Sequence, residues 1–197
     1  MTRFLTETGR LEAFSDGVLA VIITIMVLEL RPPQGTDLRS LLPTLPTVAT
    51  YALSFVFIGI YWNNHHHMLR ASRGIDGRAM WANLHLLFWL SLVPFSTAWL
   101  GRNPAAAGPT VFYGVILFFD AVAYALLQRA LLVVNGRDTP FAKAVAVDIK
   151  GRLSIALYVF AIAAGFFSTI VSDAIFVAVA IMWLIPDRRF EPLIKIE

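Results

Sequence analysis

Six apolar stretches, near residues 12–30, 45–68, 81–100, 110–134, 153–171 and 173–186, follow one another with only short polar connections between them. A helix needs about 20 residues to cross the hydrocarbon core of a bilayer, and the first five stretches reach that length. The sixth runs only from Asp173 to Pro186, and at about 1.5 Å per residue it covers roughly 20 Å. It is either a short helix in a tight hairpin with the fifth or an incomplete crossing, and Asp173 is expected to cap its start. Charged residues make up 15% of the chain against 58% hydrophobic ones, whereas a soluble domain carries about 25% charged residues. There is too little charge here to cover a water-facing surface, so lipid is the expected solvent for much of it. The fold class expected is an all-α integral membrane protein of six transmembrane helices.

The net charge of +3 does not point to nucleic acid, because the basic residues lie in the connections between apolar runs, where they set topology. Arg3, Arg10, Arg70, Arg73, Arg78, Arg129, Arg137, Lys143, Lys150, Arg152, Arg188, Arg189 and Lys195 fall on one side, and only Arg31, Arg39 and Arg102 on the other. That asymmetry puts both termini in the cytoplasm and agrees with an even number of spans. Trp81 and Trp99 bracket the third stretch and Trp183 closes the sixth, as interfacial anchors do. The chain has no cysteine, hence no disulfide framework and no thiolate chemistry. No secretory signal is apparent. The connections near 31–44 and 135–152 are too short to fold alone, so residues 1–197 read as a single multi-pass domain of the cell membrane.

The first stretch opens on Arg10-Leu11-Glu12-Ala13-Phe14-Ser15-Asp16. A carboxylate at membrane depth costs roughly 2.5–3.5 kcal/mol even on lenient insertion scales, unless paired or wetted. At 100° per residue, Phe14, Gly17, Val21, Ile25 and Leu28 fall on one stripe with Thr24 at its edge, and Asp16 points to another face. Periodicity alone is satisfied by ordinary helix packing. The second helix runs back toward the cytoplasm and brings Trp62, Asn63, Asn64, His65, His66 and His67 to the depth of Asp16, while the third brings Asn83 and His85. Such a polar layer is best satisfied by mutual pairing, and a structural clamp is its expected main role.

The phrase Arg10-x-x-x-Phe14-Ser15-Asp16, followed at eight residues by Thr24, resembles the opening helix of the transmembrane protein 175 family, the lysosomal potassium channels and their bacterial relatives. Trp62-Asn63-Asn64-His65, Asn83-Leu84, Pro94-Phe95 and the six-span layout continue the resemblance. What it implies is a homotetramer in which the first helix of each subunit lines a central pore. It puts the pore constriction on Val21, Ile25 and Leu28 and a threonine layer on Thr24. Arg10, Asp16 and His65 then match the network that holds the pore helix, with Phe14, Ser15, Trp62 and Asn83 beside them. Val21 departs from the larger Ile or Leu of relatives. The implied partners are potassium ions, the lipid bilayer and further copies of the chain; no cofactor, metal or nucleic acid is implied.

An apolar throat of this kind gates by expelling water and makes an ion shed part of its hydration shell. Potassium does so more readily than sodium, and Thr24 hydroxyls would replace some of the lost ligands. Glu29, at the outer end of the helix, either attracts cations or pairs with Arg31. Thr110-Val111-Phe112-Tyr113-Gly114 imitates a carbonyl filter, but Phe112 stands where glycine is required and no pore helix precedes it. His65-His66-His67 diverge by 100° steps and cannot meet at one ion from a single helix; a haem between His65 or His67 and His85 is the remaining metal reading. The rival function is a proton- or cation-coupled secondary transporter using Asp16 and His65, opposed by the lack of an inverted repeat or paired broken helices. A non-conducting scaffold has no partner-binding tail to support it. No nucleophile elbow, phosphate loop or catalytic carboxylate pair marks an enzyme. Asp120, midway along the fourth stretch, has no assigned role.

Overall fold

The computed structural model describes residues 7–185. Arg3, Arg188, Arg189 and Lys195, used above to orient the chain, and the end of the sixth stretch at Pro186 lie outside the described residues. All regular structure within them is helical.

Helix α1 (Gly9–Leu28) leads through a 3-10 helix (Leu38–Thr44) into α2 (Leu45–Arg70), which carries Pro46 in its first turn, where its missing N–H costs nothing. A short turn separates α2 from α3 (Gly77–Leu90), started by Asp76, whose carboxylate accepts from Arg78 N at 3.1 Å and Ala79 N at 3.0 Å. The third stretch is not one straight helix. It breaks after Leu90 and resumes as α4 (Val93–Arg102). Pro94 has no N–H to give the carbonyl of Leu90, and its ring would crowd that carbonyl. Helix α5 (Ala107–Asn135) is the longest, and Gly136 ends it with a φ of 88° that glycine adopts without strain. A short helix α6 (Pro140–Ala146) precedes α7 (Ile149–Gly165), and residues 166–168 turn the chain directly into α8 (Thr169–Leu184).

The sixth stretch is therefore the second arm of a tight hairpin, and it begins earlier than Asp173. Asp173 is not its cap: Ser168 holds the cap position, and Asp173 sits inside the first turns. What fixes this end instead is Ser172, whose hydroxyl donates across the hairpin to the Ala161 carbonyl at 2.9 Å.

Counting α3–α4 as one bent rod and setting aside the two-turn α6, the helices of the described residues form six rods. Four of them, α1, α2 with its 3-10 lead-in, α3–α4 and α5, are long and apolar enough to cross a membrane; α8 is a shorter apolar helix. Large apolar side chains such as Trp81, Phe167 and Ile170 stand on the outside, which in water would be a standing aggregation hazard and in lipid is ordinary. The protein is a multi-pass, all-helical membrane protein.

Helix α5 is the hub. One apolar cluster joins it to α1, α2 and α3 through Leu19, Met26, Met68, Leu86, Leu90 and Leu127. A second joins it to α2, α7 and α8 through Phe57, Tyr113, Leu117, Tyr158 and Phe176. A side chain at Gly114 would start 3.0 Å from both Ile162 and Phe176, so glycine there lets α7 and α8 close on α5. Helix α1 lies at the edge, touching α2, α3 and α4 along one side only. That one-sided seating creates the site.

Candidate functional site on the first helix

Two faces of α1 differ sharply. Leu11, Ser15, Leu19, Ile22 and Met26 are buried against the rest of the subunit. Opposite them, Phe14, Val21, Ile25 and Leu28 are exposed to 52%, 54%, 45% and 78%, with Gly17 and Thr24 also exposed. The stripe read from helical periodicity is thus the face α1 turns away from its own subunit. Phe14, Gly17, Val21 and Ile25 of this stripe form one wall of an open groove of about 1030 Å³ whose other wall is α4, with Pro94, Phe95 and Trp99. Glu29 and Arg102 close one end of the groove with an ion pair linking the tips of α1 and α4. The partner of Glu29 is therefore Arg102 and not Arg31, because the last turn of α4 ends beside the end of α1.

The buried face is held by a directed chain of hydrogen bonds. Asn83 Oδ1 accepts from His65 Nε2–H at 2.7 Å, Asn83 Nδ2 donates to Ser15 Oγ at 2.9 Å, and Ser15 Oγ donates to the Leu11 carbonyl at 2.8 Å. The three side chains are 1%, 0% and 0% exposed. With Asn83 Oδ1 accepting, His65 carries its proton on Nε2, and Nδ1 is left without a partner among the described residues. The relay welds α2, α3 and α1 together, and in a bilayer each of these bonds replaces a group that could find no water.

A second, more peripheral pair of links lies one step around α1. Trp62 Nε1–H donates to Asp16 Oδ1 at 3.0 Å, and His66 Nδ1 lies 2.5 Å from Glu12 Oε1. Glu12 and Asp16 are four apart on α1, and Trp62 and His66 four apart on α2, so each pair shares a helix face. The Trp62 and His66 rings stack with centroids 6.1 Å apart. This ladder fixes the rotation of α1 about its axis, which decides what the opposite stripe faces.

The residues singled out by sequence are thus largely brought together: Ser15, Asp16, Trp62, His65 and Asn83 all join α1 to its neighbours. Arg10 is not. It is exposed in the first turn, with no ion pair to Asp16 among the described residues. Phe14 belongs to the groove and not to the polar layer. Sequence reasoning missed Glu12 and gave His66 no partner; the four-residue spacings from Asp16 and Trp62 were the available signal. Asp16 and His65 have separate partners and share no hydrogen bond, which removes the compact relay that a transporter cycle would use. His85 Nε2 accepts from Trp89 Nε1–H at 2.9 Å on an exposed face, two residues and 200° around α3 from Asn83, so it does not meet His65 or His67 across a haem-sized gap. Among the described residues no three His, Asp, Glu or Cys side chains converge on one point. Thr110–Gly114 are helical turns of α5, their carbonyls engaged within the helix.

Comparison with known proteins fits this geometry. The profile of the family described as endosomal/lysosomal potassium channel TMEM175 matches residues 10–94, the stretch that contains α1, α2, α3 and the start of α4. A protein from Chryseobacterium sp. (strain P1-3), named a potassium channel, is 46% identical over 187 residues, covering 95% of this chain and 97% of that protein. The crystal structure of a lysosomal potassium-selective channel TMEM175 homolog from Chamaesiphon minutus superposes with a TM-score of 0.80 at 30% identity, covering 92% of this chain and 98% of that one. The human endosomal/lysosomal proton channel TMEM175 is 26% identical over 155 residues, which span 76% of this chain and 29% of the human protein.

Proposed function

The chain belongs to the TMEM175 family, and from that premise we propose that it is a potassium-selective channel of the cell membrane, a homotetramer whose four α1 helices surround the pore, with both termini cytoplasmic. It is no enzyme: the family and the relatives it matches are ion channels. The observation that carries the pore reading is the split of α1, apolar and open on the Val21, Ile25 and Leu28 side, polar and locked on the Ser15 and Asp16 side. Lipid covers the other exposed apolar faces; for this stripe the family resemblance favours copies of the same chain related by a closed symmetry, which cover it without adding a new component.

In that assembly Val21, Ile25 and Leu28 form three apolar rings one turn apart. Water held between such rings has few partners, so the throat is prone to empty, and an ion crosses only after shedding part of its shell. Potassium, the larger ion, holds its water less tightly than sodium and crosses at lower cost. Thr24 suits the passage chemically. Its hydroxyl hydrogen is spent on its own helix, toward the carbonyls of Ala20 at 3.0 Å and Val21 at 2.9 Å. The oxygen lone pairs are left to face outward as cation ligands. Glu29, neutralised by Arg102, contributes little attraction at the outer end.

The Ser15–Asn83–His65 relay and the Asp16 and Glu12 links serve this passage indirectly. A throat one side chain wide tolerates little rotation of α1, and these bonds set that rotation. The test is flux into liposomes under potassium and then sodium gradients. Ile25→Asn or Leu28→Asn wets the throat, raising flux and lowering potassium preference; unchanged flux and selectivity in both would sink the assignment. Because the chain has no cysteine of its own, Ile25→Cys supplies a lone thiol. Oxidation is expected to yield disulfide-linked dimers within the tetramer, and their absence would mean that the stripe faces lipid.

A further inference from the structure

A second surface groove, of about 310 Å³, runs between α2 and α8 and shares no lining residue with the one beside α1. Phe55, Gly59 and Ile60 of α2 give it an apolar length, and Asn63 of α2 with Trp183 and Leu184 of α8 stand at the end nearest the membrane face where both helices finish. Gly59 opens the slot: a Cβ there would meet nothing within 4 Å, so the space above it is filled by no other part of the subunit. Along the helix axis Phe55 and Asn63 are about 12 Å apart. That is most of the roughly 15 Å of hydrocarbon in one leaflet, so the slot spans nearly the depth of a single acyl chain layer.

The end of the slot is polar and carries a cation. Trp183 Nε1–H donates to Ser154 Oγ at 2.8 Å, which pins the indole against α7. Lys150, in the first turn of α7, lies over that ring with Nζ 5.7 Å from its centroid and donates to the Ile185 carbonyl at 2.8 Å. It has no carboxylate partner among the described residues, where the ion pairs belong to Glu12 and Glu29. One of its three N–H groups is spent on a neutral carbonyl, and the charge remains to be matched. The Asn63 side chain is exposed and has no hydrogen-bond partner among the described residues. An apolar slot one leaflet deep, then a free amide and an indole, then an ammonium group repeats the order of a phospholipid from chain to glycerol to phosphate. A neutral chain would have no use for the cation, and a water-soluble anion none for the slot.

We infer that each subunit binds one anionic phospholipid from the leaflet on this side, with an acyl chain in the slot over Gly59, the glycerol region beside Asn63 and the phosphate within reach of Lys150. Asn63 stands on α2, Lys150 on α7 and Trp183 on α8, so a single lipid ties the α7–α8 hairpin to α2. The site uses none of the residues assigned to the pore wall.

Native mass spectrometry of the full chain, stripped of lipid in detergent and then given phosphatidylglycerol or phosphatidylcholine, tests this without reading flux, so its outcome does not hang on the pore assignment. One phosphatidylglycerol per subunit is expected, held about fivefold more tightly than phosphatidylcholine, the gain expected of one lysine beside a negative headgroup. Lys150→Gln should remove that preference and leave phosphatidylcholine binding as it was. Lys143→Gln, which changes a basic residue of α6 outside the groove, should leave the preference intact. Gly59→Leu, which fills the slot, should lose both lipids. If that variant fails to fold, phosphatidylglycerol with brominated chains gives a second reading: it should quench Trp183, seen as the difference between the unaltered chain and Trp183→Phe. Equal affinity for the two lipids, or an equal loss of preference in both lysine variants, overturns headgroup recognition. Lipid held normally by Gly59→Leu, or no quenching of Trp183, overturns the slot. An assembled protein that takes up no lipid there means that a neighbouring copy fills the groove, and overturns the site.

Discussion

Two buried polar layers sit at membrane depth in this subunit and are built on opposite plans. Around α1, His65, Asn83 and Ser15 pass hydrogen bonds in one direction until the last reaches a backbone carbonyl. Around α5, Asp120 is fully buried and has no hydrogen-bond partner among the described residues. The first layer fixes a geometry, because no member can move without stranding another. The second cannot fix anything through bonds it does not make. A rigid layer suits the helix whose rotation sets a pore wall. An unbonded acid leaves the hub helix held to its neighbours at that level by apolar packing.

The contrast can be broken experimentally, and the largest expected effect is on the bonded layer. Asn83→Leu strands the His65 N–H and removes the tie to Ser15, at a cost of about 3 kcal/mol from one lost bond and one unsatisfied buried donor; thermal unfolding in detergent should fall by several degrees. The opposite sign is expected at Asp120. Asp120→Leu replaces an unpaired acid by an apolar side chain of similar size and should stabilise the subunit by about 2 kcal/mol, read in the same melt. If both substitutions destabilise equally, the acid has a hidden partner and the two layers are alike.

Smaller changes sharpen the picture. Ser15→Ala leaves one Asn83 N–H without an acceptor and should cost about 1 kcal/mol, with a larger effect on ion selectivity than on melting if α1 rotates. Glu12→Gln weakens a partly exposed pairing with His66 and should change stability by less than about 0.5 kcal/mol. A large loss there would show that the outer ladder, and not the inner relay, holds the helix.

Much of this was legible in the chain. The apolar runs give the helices, and the break at Pro94 and the early start of α8 moved boundaries without changing the class. Periodicity assigned Phe14, Val21, Ile25 and Leu28 to one stripe because residues 100° apart have no freedom to do otherwise. Depth in the membrane gathered Asp16, Trp62, His65 and Asn83 into one layer. Which of these touched was not legible, since depth sets only one coordinate. Asp16 takes Trp62 and Ser15 takes Asn83 because of how α1 is turned against its neighbours, and Glu29 takes Arg102 in place of nearby Arg31 because α4 ends there.

Sequence by itself determined that the chain lives in lipid, builds helices from its apolar runs and carries an apolar stripe with an acid on another face, since these follow from transfer energies and helical pitch. Only the tertiary structure decided that the stripe looks outward while Ser15 looks in, that Asp120 is buried without a hydrogen-bond partner among the described residues, and that His66 answers Glu12. Those depend on the rotation and spacing of packed helices, which are set by distant side chains interlocking and by no local rule.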